Sequence, residues 1–308
     1  MEKYRLLIDT DPGVDDAMAI LMAYDQADVL GLSIAAGNVG LDHTVANALK
    51  LVEVIGADTP VFAGCATPLV HAAEDAAEVH GNDGFGDIGY APSARKAQAE
   101  HAALAILRLS HEHAEKLVLV ALAPLTNLAL ALKLDPTLPQ RVAKLVIMGG
   151  AVTGRGNYET VPAEFNIGFD PEAAHVVFSN WPRFVLVDWE ATVRHGIDFA
   201  RFAELTSADN AKAKFYADVT RKTVEWTRAE GRSKMLIADA LAMAVALEPD
   251  AVRHAEEHHV AIEIDGKLTR GATVVDWNNR SGKPANAQIV LEVDQARFEA
   301  LLASALGA

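Results

Sequence analysis

Positions 9 to 16 read Asp9-Thr10-Asp11-Pro12-Gly13-Val14-Asp15-Asp16, four carboxylates within eight residues. Carboxylates this close repel one another unless a cation sits among them, and oxygen-only donors select a hard divalent ion, calcium or magnesium. The cluster follows a short apolar run, Tyr4 to Ile8, and precedes the helical pattern of Ala17 to Met22. At the carboxyl end of a parallel strand such side chains converge on the crevice where open α/β sheets bind ligands. The bland alternative has Asp15 and Asp16 complementing a helix N-terminus while Asp9 and Asp11 shape a turn. An EF-hand is excluded, because its calcium loop needs an oxygen donor fifth and glycine sixth, where this chain has Gly13 and Val14.

The elements that must position this cluster are legible as alternation. Tyr4 to Ile8, Val29 to Ala36, Lys116 to Ala123, Lys144 to Met148 and Phe184 to Val187 read as strands. Between them, Asp42 to Ile55, Lys96 to His113, Asn127 to Lys133 and Pro171 to Ser179 carry helical periodicity. This βα order predicts an α/β protein: a single domain over 1–308, with a mainly parallel, Rossmann-like open sheet covered by helices on both faces. Ile197 to Leu247 reads as mainly helical, followed by strands at His259 to Ile264, Ala272 to Trp277 and Gln288 to Val293 and a closing helix. The order of those last strands cannot be read. Glycine-rich His80 to Gly89 and Gly149 to Gly156 read as loops over a site.

Composition narrows the partner. The chain has 308 residues, 51% hydrophobic and 22% charged, enough to bury a large core. Its net charge of -15 opposes nucleic-acid phosphate and an anionic membrane surface, which favours a small-molecule ligand. Lone Cys65 rules out an internal disulfide, and neither a secretory leader nor a membrane-length apolar run is present, so the expected compartment is the cytoplasm.

The signature Asp9-x-Asp11-Pro12-Gly13-x-Asp15-Asp16 resembles that of the nucleoside hydrolases, the inosine-uridine-preferring family. The similarity continues through Ala36-Gly37-Asn38, His80-Gly81-Asn82-Asp83-Gly84, Pro124-Leu125-Thr126-Asn127, Met148-Gly149-Gly150 and Ala163-Glu164-Phe165-Asn166 to Asp239. It implies hydrolysis of the N-glycosidic bond of ribonucleosides. It also implies calcium held by Asp11, Asp16, the Leu122 carbonyl and Asp239. Asp15 and Asn166 would grip the ribose 2′- and 3′-hydroxyls, and Glu164 and Asn157 would reach the 5′-hydroxyl. Asn38 and Met148 would line the sugar pocket. The spacing from Asn157 to Glu164 is one residue longer than the family pattern. Homodimers or homotetramers are common in the family, and self-association is expected on that ground.

In the implied reaction a calcium-bound water attacks, with Asp11 as general base. Activation of the leaving base is where the chain departs from the pattern. Relatives carry histidine or tryptophan immediately before the late aspartate, and here that residue is Ala238. His80 and Trp226 are the candidate substitutes, although a loop role for His80 and core packing for Trp226 compete. Arg228 and Arg232 fit a solvated helix face better than base contact. His111 with His113, and His258 with His259, lack ligand spacing and read as surface features.

Two competing functions remain open. One is a riboside-binding protein that kept the pocket and lost the acid. The other is a phosphatase resembling the haloacid dehalogenases, with a phosphorylated Asp9 and magnesium; Pro12, Gly13 and the early second acidic pair depart from that pattern.

Overall fold

The computed structural model describes residues 4–308; residues 1–3 of the expected 1–308 unit lie outside the described residues. In chain order the strands are β1 (Arg5–Thr10), β2 (Asp28–Ile34), β3 (Val61–Ala63), β4 (Leu117–Ala121), β5 (Val142–Met148), β6 (Phe184–Val187), β7 (Ile197–Asp198), β8 (Lys234–Met235), β9 (Val252–His258), β10 (Val260–Ile262), β11 (Thr273–Val275) and β12 (Ala287–Val293). Eight of them form one sheet in the order β3-β2-β1-β4-β5-β6-β12-β9. Its pairings are parallel except for β9, which runs antiparallel to β12 at the edge.

Alternating side chains explain why both faces need covers. In β1, Leu6 and Ile8 enter one core while Leu7 enters the other; in β4, Val118 and Val120 face opposite to Leu119 and Ala121. The helices Val14–Gln26, Ala238–Leu247 and Gln295–Leu306 supply the first core, and Ala102–Glu112, Thr126–Leu134 and Pro171–Asn180 the second. A strand buried on both faces loses the polar alternation of a half-exposed one, which is why these strands read as continuous apolar runs.

The chain leaves β1 toward β2 and β3 on one side, then returns to build β4, β5 and β6 on the other. The sheet therefore has its topological switch between β1 and β4, the place where open α/β sheets bind ligands. Asp11 follows the carboxyl end of β1, and Leu122 follows that of β4.

Several expectations need correction. The helix anticipated from Lys96 begins at Ala102, because His101 turns its ring back to accept the Ala103 N–H at 3.2 Å. The strand anticipated over His259 to Ile264 is confined to Val260–Ile262 and pairs with β11 in a separate two-stranded sheet. Strand β9 escaped notice because its sequence, VRHAEEH, has no apolar run; charge on an edge strand discourages pairing with another chain. His258 is not a surface residue: it is 9% exposed, its ring stacked edgewise 4.8 Å from that of Trp277. Among the described residues no helix is long and apolar enough to cross a membrane.

Candidate active site

The turn after β1 folds the acidic signature around its own backbone. Asp16 sits in the first turn of the helix Val14–Gln26 and accepts the N–H of Gly13 at 3.0 Å and of Asp11 at 3.3 Å, with the Thr10 hydroxyl also donating to it. The helix-capping reading is thus correct for Asp16, and it coexists with a second use. Carboxylate oxygens of Asp15, Asp16 and Asp239 lie within 4.8 Å of one another, Asp239 arriving from the first turn of Ala238–Leu247. All-oxygen donors at this separation suit a hard divalent cation.

Asp11, expected among the ligands, is buried beside this group; the Asp16 charge acts on it, and its own charge acts on Asp239. Its Oδ2 accepts the Asn38 N–H at 2.7 Å, and the Asn38 side chain donates to the Asp11 carbonyl at 3.1 Å and to Asp16 Oδ2 at 3.0 Å. Asn38, expected to line the sugar pocket, lines the cavity above the cluster while also clamping two of the carboxylates. Gly37 is required beside it, since a Cβ there would lie 2.1 Å from Asp11 Oδ2.

Burial pushes Asp15 up to about 6, and burial followed by the charges of their carboxylate neighbours holds Asp11 and Asp239 well above the usual range. Burial, joined by neighbouring carboxylate charge at Asp11, Asp16 and Asp239, drives these acids toward neutrality, which a bound cation would relieve. Asp9 points elsewhere. It is fully buried, takes hydrogen bonds from Ser33 and from Asn127 at 3.0 Å, and cannot serve as the exposed nucleophile of a phosphatase.

Above the cluster opens a cavity of about 590 Å³. Its lining includes the expected Asp15, Asn38, His80, Leu122, Met148, Asn157, Glu164, Asn166, Trp226 and Asp239. Asn166 donates from Nδ2 to the Leu122 carbonyl at 2.6 Å, so the oxygen expected to hold an ion is already shared. Glu164 caps the short helix Phe165–Phe169, accepting the Asn166 and Ile167 N–H groups, and also takes the Gly150 N–H at 2.9 Å. Gly150 makes this approach with φ of 81°, and a Cβ there would lie 2.5 Å from Thr273 Oγ1. Burial pushes Glu164 up to about 7 despite these donors. Asn157 sits exposed at the rim, its Oδ1 accepting the Phe165 N–H at 2.9 Å.

The leaving-base candidates fare differently. His80 is buried, its Nδ1 accepts the Val14 N–H at 3.1 Å, and burial lowers it to about 4. It is therefore a neutral ring near pH 7, able to donate only from Nε2. Trp226, for which core packing competed, is half-buried and lines the cavity. The sequence reading missed Tyr216, Thr223 and Thr227, which also line it. Their spacings of seven and four along Ala211–Ala229 place them on one helix face, a signal masked by the polar character of threonine. Trp189 was missed as a lining residue too; Arg232, read as a solvated helix face in preference to a base contact, lies exposed past the helix end and lines the cavity, whereas Arg228 lies over the Phe199 ring.

Known proteins resemble this chain along nearly its whole length. The family profile described as inosine-uridine preferring nucleoside hydrolase matches residues 6–300. The chain is similar to the non-specific ribonucleoside hydrolase RihC of Klebsiella pneumoniae, 36% identical over 96% of this chain and 95% of the relative. It is also similar to the pyrimidine-specific ribonucleoside hydrolase RihB of Escherichia coli O157:H7, 32% identical over 98% and 96%. A solved inosine-guanosine nucleoside hydrolase superposes with a TM-score of 0.92 at 34% identity, covering 99% of both chains. With the fold and the match extending along nearly the whole length, the chain belongs to the inosine-uridine preferring nucleoside hydrolase family and is a ribonucleoside hydrolase.

Proposed function

We propose that the protein hydrolyses the N-glycosidic bond of purine or pyrimidine ribonucleosides to ribose and free base, with calcium as its resident cation. The observation that carries this reading is the convergence of Asp15, Asp16 and Asp239 within 4.8 Å beneath a cavity lined by Glu164 and Asn166. Asp16 and Asp239 would hold the ion, with Asp11 and the Leu122 carbonyl completing the set. When bound, the cation acidifies and places a water.

The chain's own groups do the remainder. Asp15 and Asn166 orient the ribose through its 2′- and 3′-hydroxyls, while Glu164 and Asn157 meet the 5′-hydroxyl and Met148 closes the sugar side. Asp11, steadied by Asn38, accepts the proton of the attacking water as a bond forms to the anomeric carbon. The surrounding carboxylates favour the positive charge that builds there. His80 contributes a neutral Nε2–H, and Trp226 an aromatic wall, on the side of the base. We further propose a homodimer or homotetramer working in the cytoplasm.

The test is ribose release from inosine, adenosine, guanosine, uridine and cytidine by calcium-loaded protein, beside a sample stripped by chelator. Release that is lost on stripping and restored by calcium is expected. Release indifferent to chelator would remove the cation from the reading, and nucleoside binding without release would favour a riboside-binding protein.

A further inference from the structure

Eight acidic residues line the cavity, Asp15, Glu74, Asp75, Glu78, Glu159, Glu164, Glu230 and Asp239, against one permanently charged cation, Arg232. The way the chain delivers that arginine is specific. Helix Ala211–Ala229 is capped by Glu230 and followed by Gly231, whose φ of 72° lets the backbone reverse, and the Arg232 N–H returns to the Thr227 carbonyl at 3.2 Å. The guanidinium lies 5.6 Å from the centre of the Trp226 ring and 5.8 Å from that of Trp189. Those two indoles come from different walls. Trp226 belongs to the long helix, whereas Trp189 follows β6 and donates its main-chain N–H to Gly150 at 2.9 Å, beside Glu164.

Indole faces attract a guanidinium and leave its N–H edges free. Among the described residues the Arg232 guanidinium makes no hydrogen bond or ion pair with another side chain, though acidic groups line the same cavity. Arg232 is exposed at the mouth of the cavity, and a charged donor fork resting beside two indole rings without a hydrogen-bonding partner is a binding group awaiting an acceptor.

The reaction supplies one. When the C1′–N9 bond of a purine riboside breaks, its electron pair stays with the base and spreads onto N7 and the 6-oxygen. Carboxylates stabilise the ribosyl cation but oppose this anion, and Ala238 offers no proton. Resting on the hydrolase reading above, we propose that Arg232 meets the leaving base, donating two N–H groups to O6 and N7 of a 6-oxopurine. The guanidinium stays protonated throughout; the attacking water forms the bond to C1′ and passes a proton to Asp11, and the departing anion takes its own proton from solvent. Arginine matches the O6 and N7 pair of guanine bidentately, whereas adenine presents an amino donor in place of O6. The site thus prefers inosine and guanosine over adenosine.

The experiment compares Arg232→Gln and Arg232→Lys with the unmodified, calcium-loaded enzyme on inosine, adenosine and 7-methylguanosine. The last carries a base that departs neutral and needs no anion stabilisation. For Arg232→Gln a loss of about 100-fold in kcat/KM is expected on inosine, with a smaller loss on adenosine and under about threefold on 7-methylguanosine. Arg232→Lys, which keeps the charge without the fork, should recover part of the inosine rate. Equal losses on all three substrates would reduce Arg232 to a structural part, and an undiminished inosine rate, or an unmodified enzyme that prefers adenosine, would overturn the proposal. If the unmodified enzyme releases no ribose from any substrate, 7-methylguanosine included, the hydrolase reading itself falls and takes this proposal with it.

Discussion

The main-chain N–H of Val14 donates to Nδ1 of His80 at 3.1 Å, which sets the tautomer of a ring buried against the acidic turn. Because that nitrogen must stay unprotonated to accept, the proton resides on Nε2. Protonating the ring would break this bond and place a charge where burial disfavours it, which is why the ring is held at about 4 against an ordinary 6.5.

His80 should accordingly show no titration near pH 6.5 when followed by NMR. The sign of its effect on stability follows: between about 4 and 6.5 the unfolded chain binds a proton that the folded chain refuses, so stability is full above 6.5 and declines as pH falls toward 4. Replacing His80 by Gln should flatten that decline in urea melts. An unchanged slope would mean that the ring titrates freely.

Asn38 ties Asp11 to Asp16, and its loss should be felt by whatever those carboxylates hold. For Asn38→Ala, calcium affinity measured by calorimetry is expected to fall about 10-fold to 100-fold, the usual cost of losing a partner of a metal ligand. Asp11→Ala should go further and abolish ribose release while weakening calcium binding. Wild-type turnover in that variant would remove Asp11 from the mechanism.

Glu164 gives an opposite pH signature. Its folded value of about 7 exceeds the ordinary 4.5, so its contribution to stability is full below 4.5 and is lost as pH climbs through 7. In calcium-saturated protein, Glu164→Gln should lose part of its capping at every pH and show a shallower fall in stability between about pH 4.5 and pH 7, the window that the shift defines. Parallel melting curves for the two proteins across that window would contradict the assignment.

Ala238 is buried at the start of its helix yet lines the cavity, so a larger side chain there has space to enter. Ala238→His should raise kcat on at least one nucleoside by about tenfold, a fraction of what a well-placed general acid contributes. Unchanged rates on every nucleoside tested would mean that position 238 does not approach the base.

The central strands and most of their covering helices were legible because their side chains report burial directly: β1, β4, β5 and β6 are apolar on both faces. Strand β9 was not, since an edge strand is held by its β12 partner and needs no apolar run of its own. The residues from Ile197 onward were legible as helical but not as a wall of the site, because lining the cavity depends on how Ala211–Ala229 lies across the sheet.

By itself the sequence determined the acidic signature, the α/β alternation and the family, all of which are written in local spacing and residue type. Tertiary structure decided that Asp239, more than two hundred residues away in sequence, comes within 4.8 Å of Asp15 and Asp16, while Asn38 holds the Asp11 carboxylate beside them. It also decided that Arg232, which in sequence looks like solvated helix surface, lies past the helix end, still exposed, where it lines the cavity beside Trp226 and Trp189. Strand order, helix placement and the direction of a side chain are set by contacts among distant residues, and no local pattern encodes them.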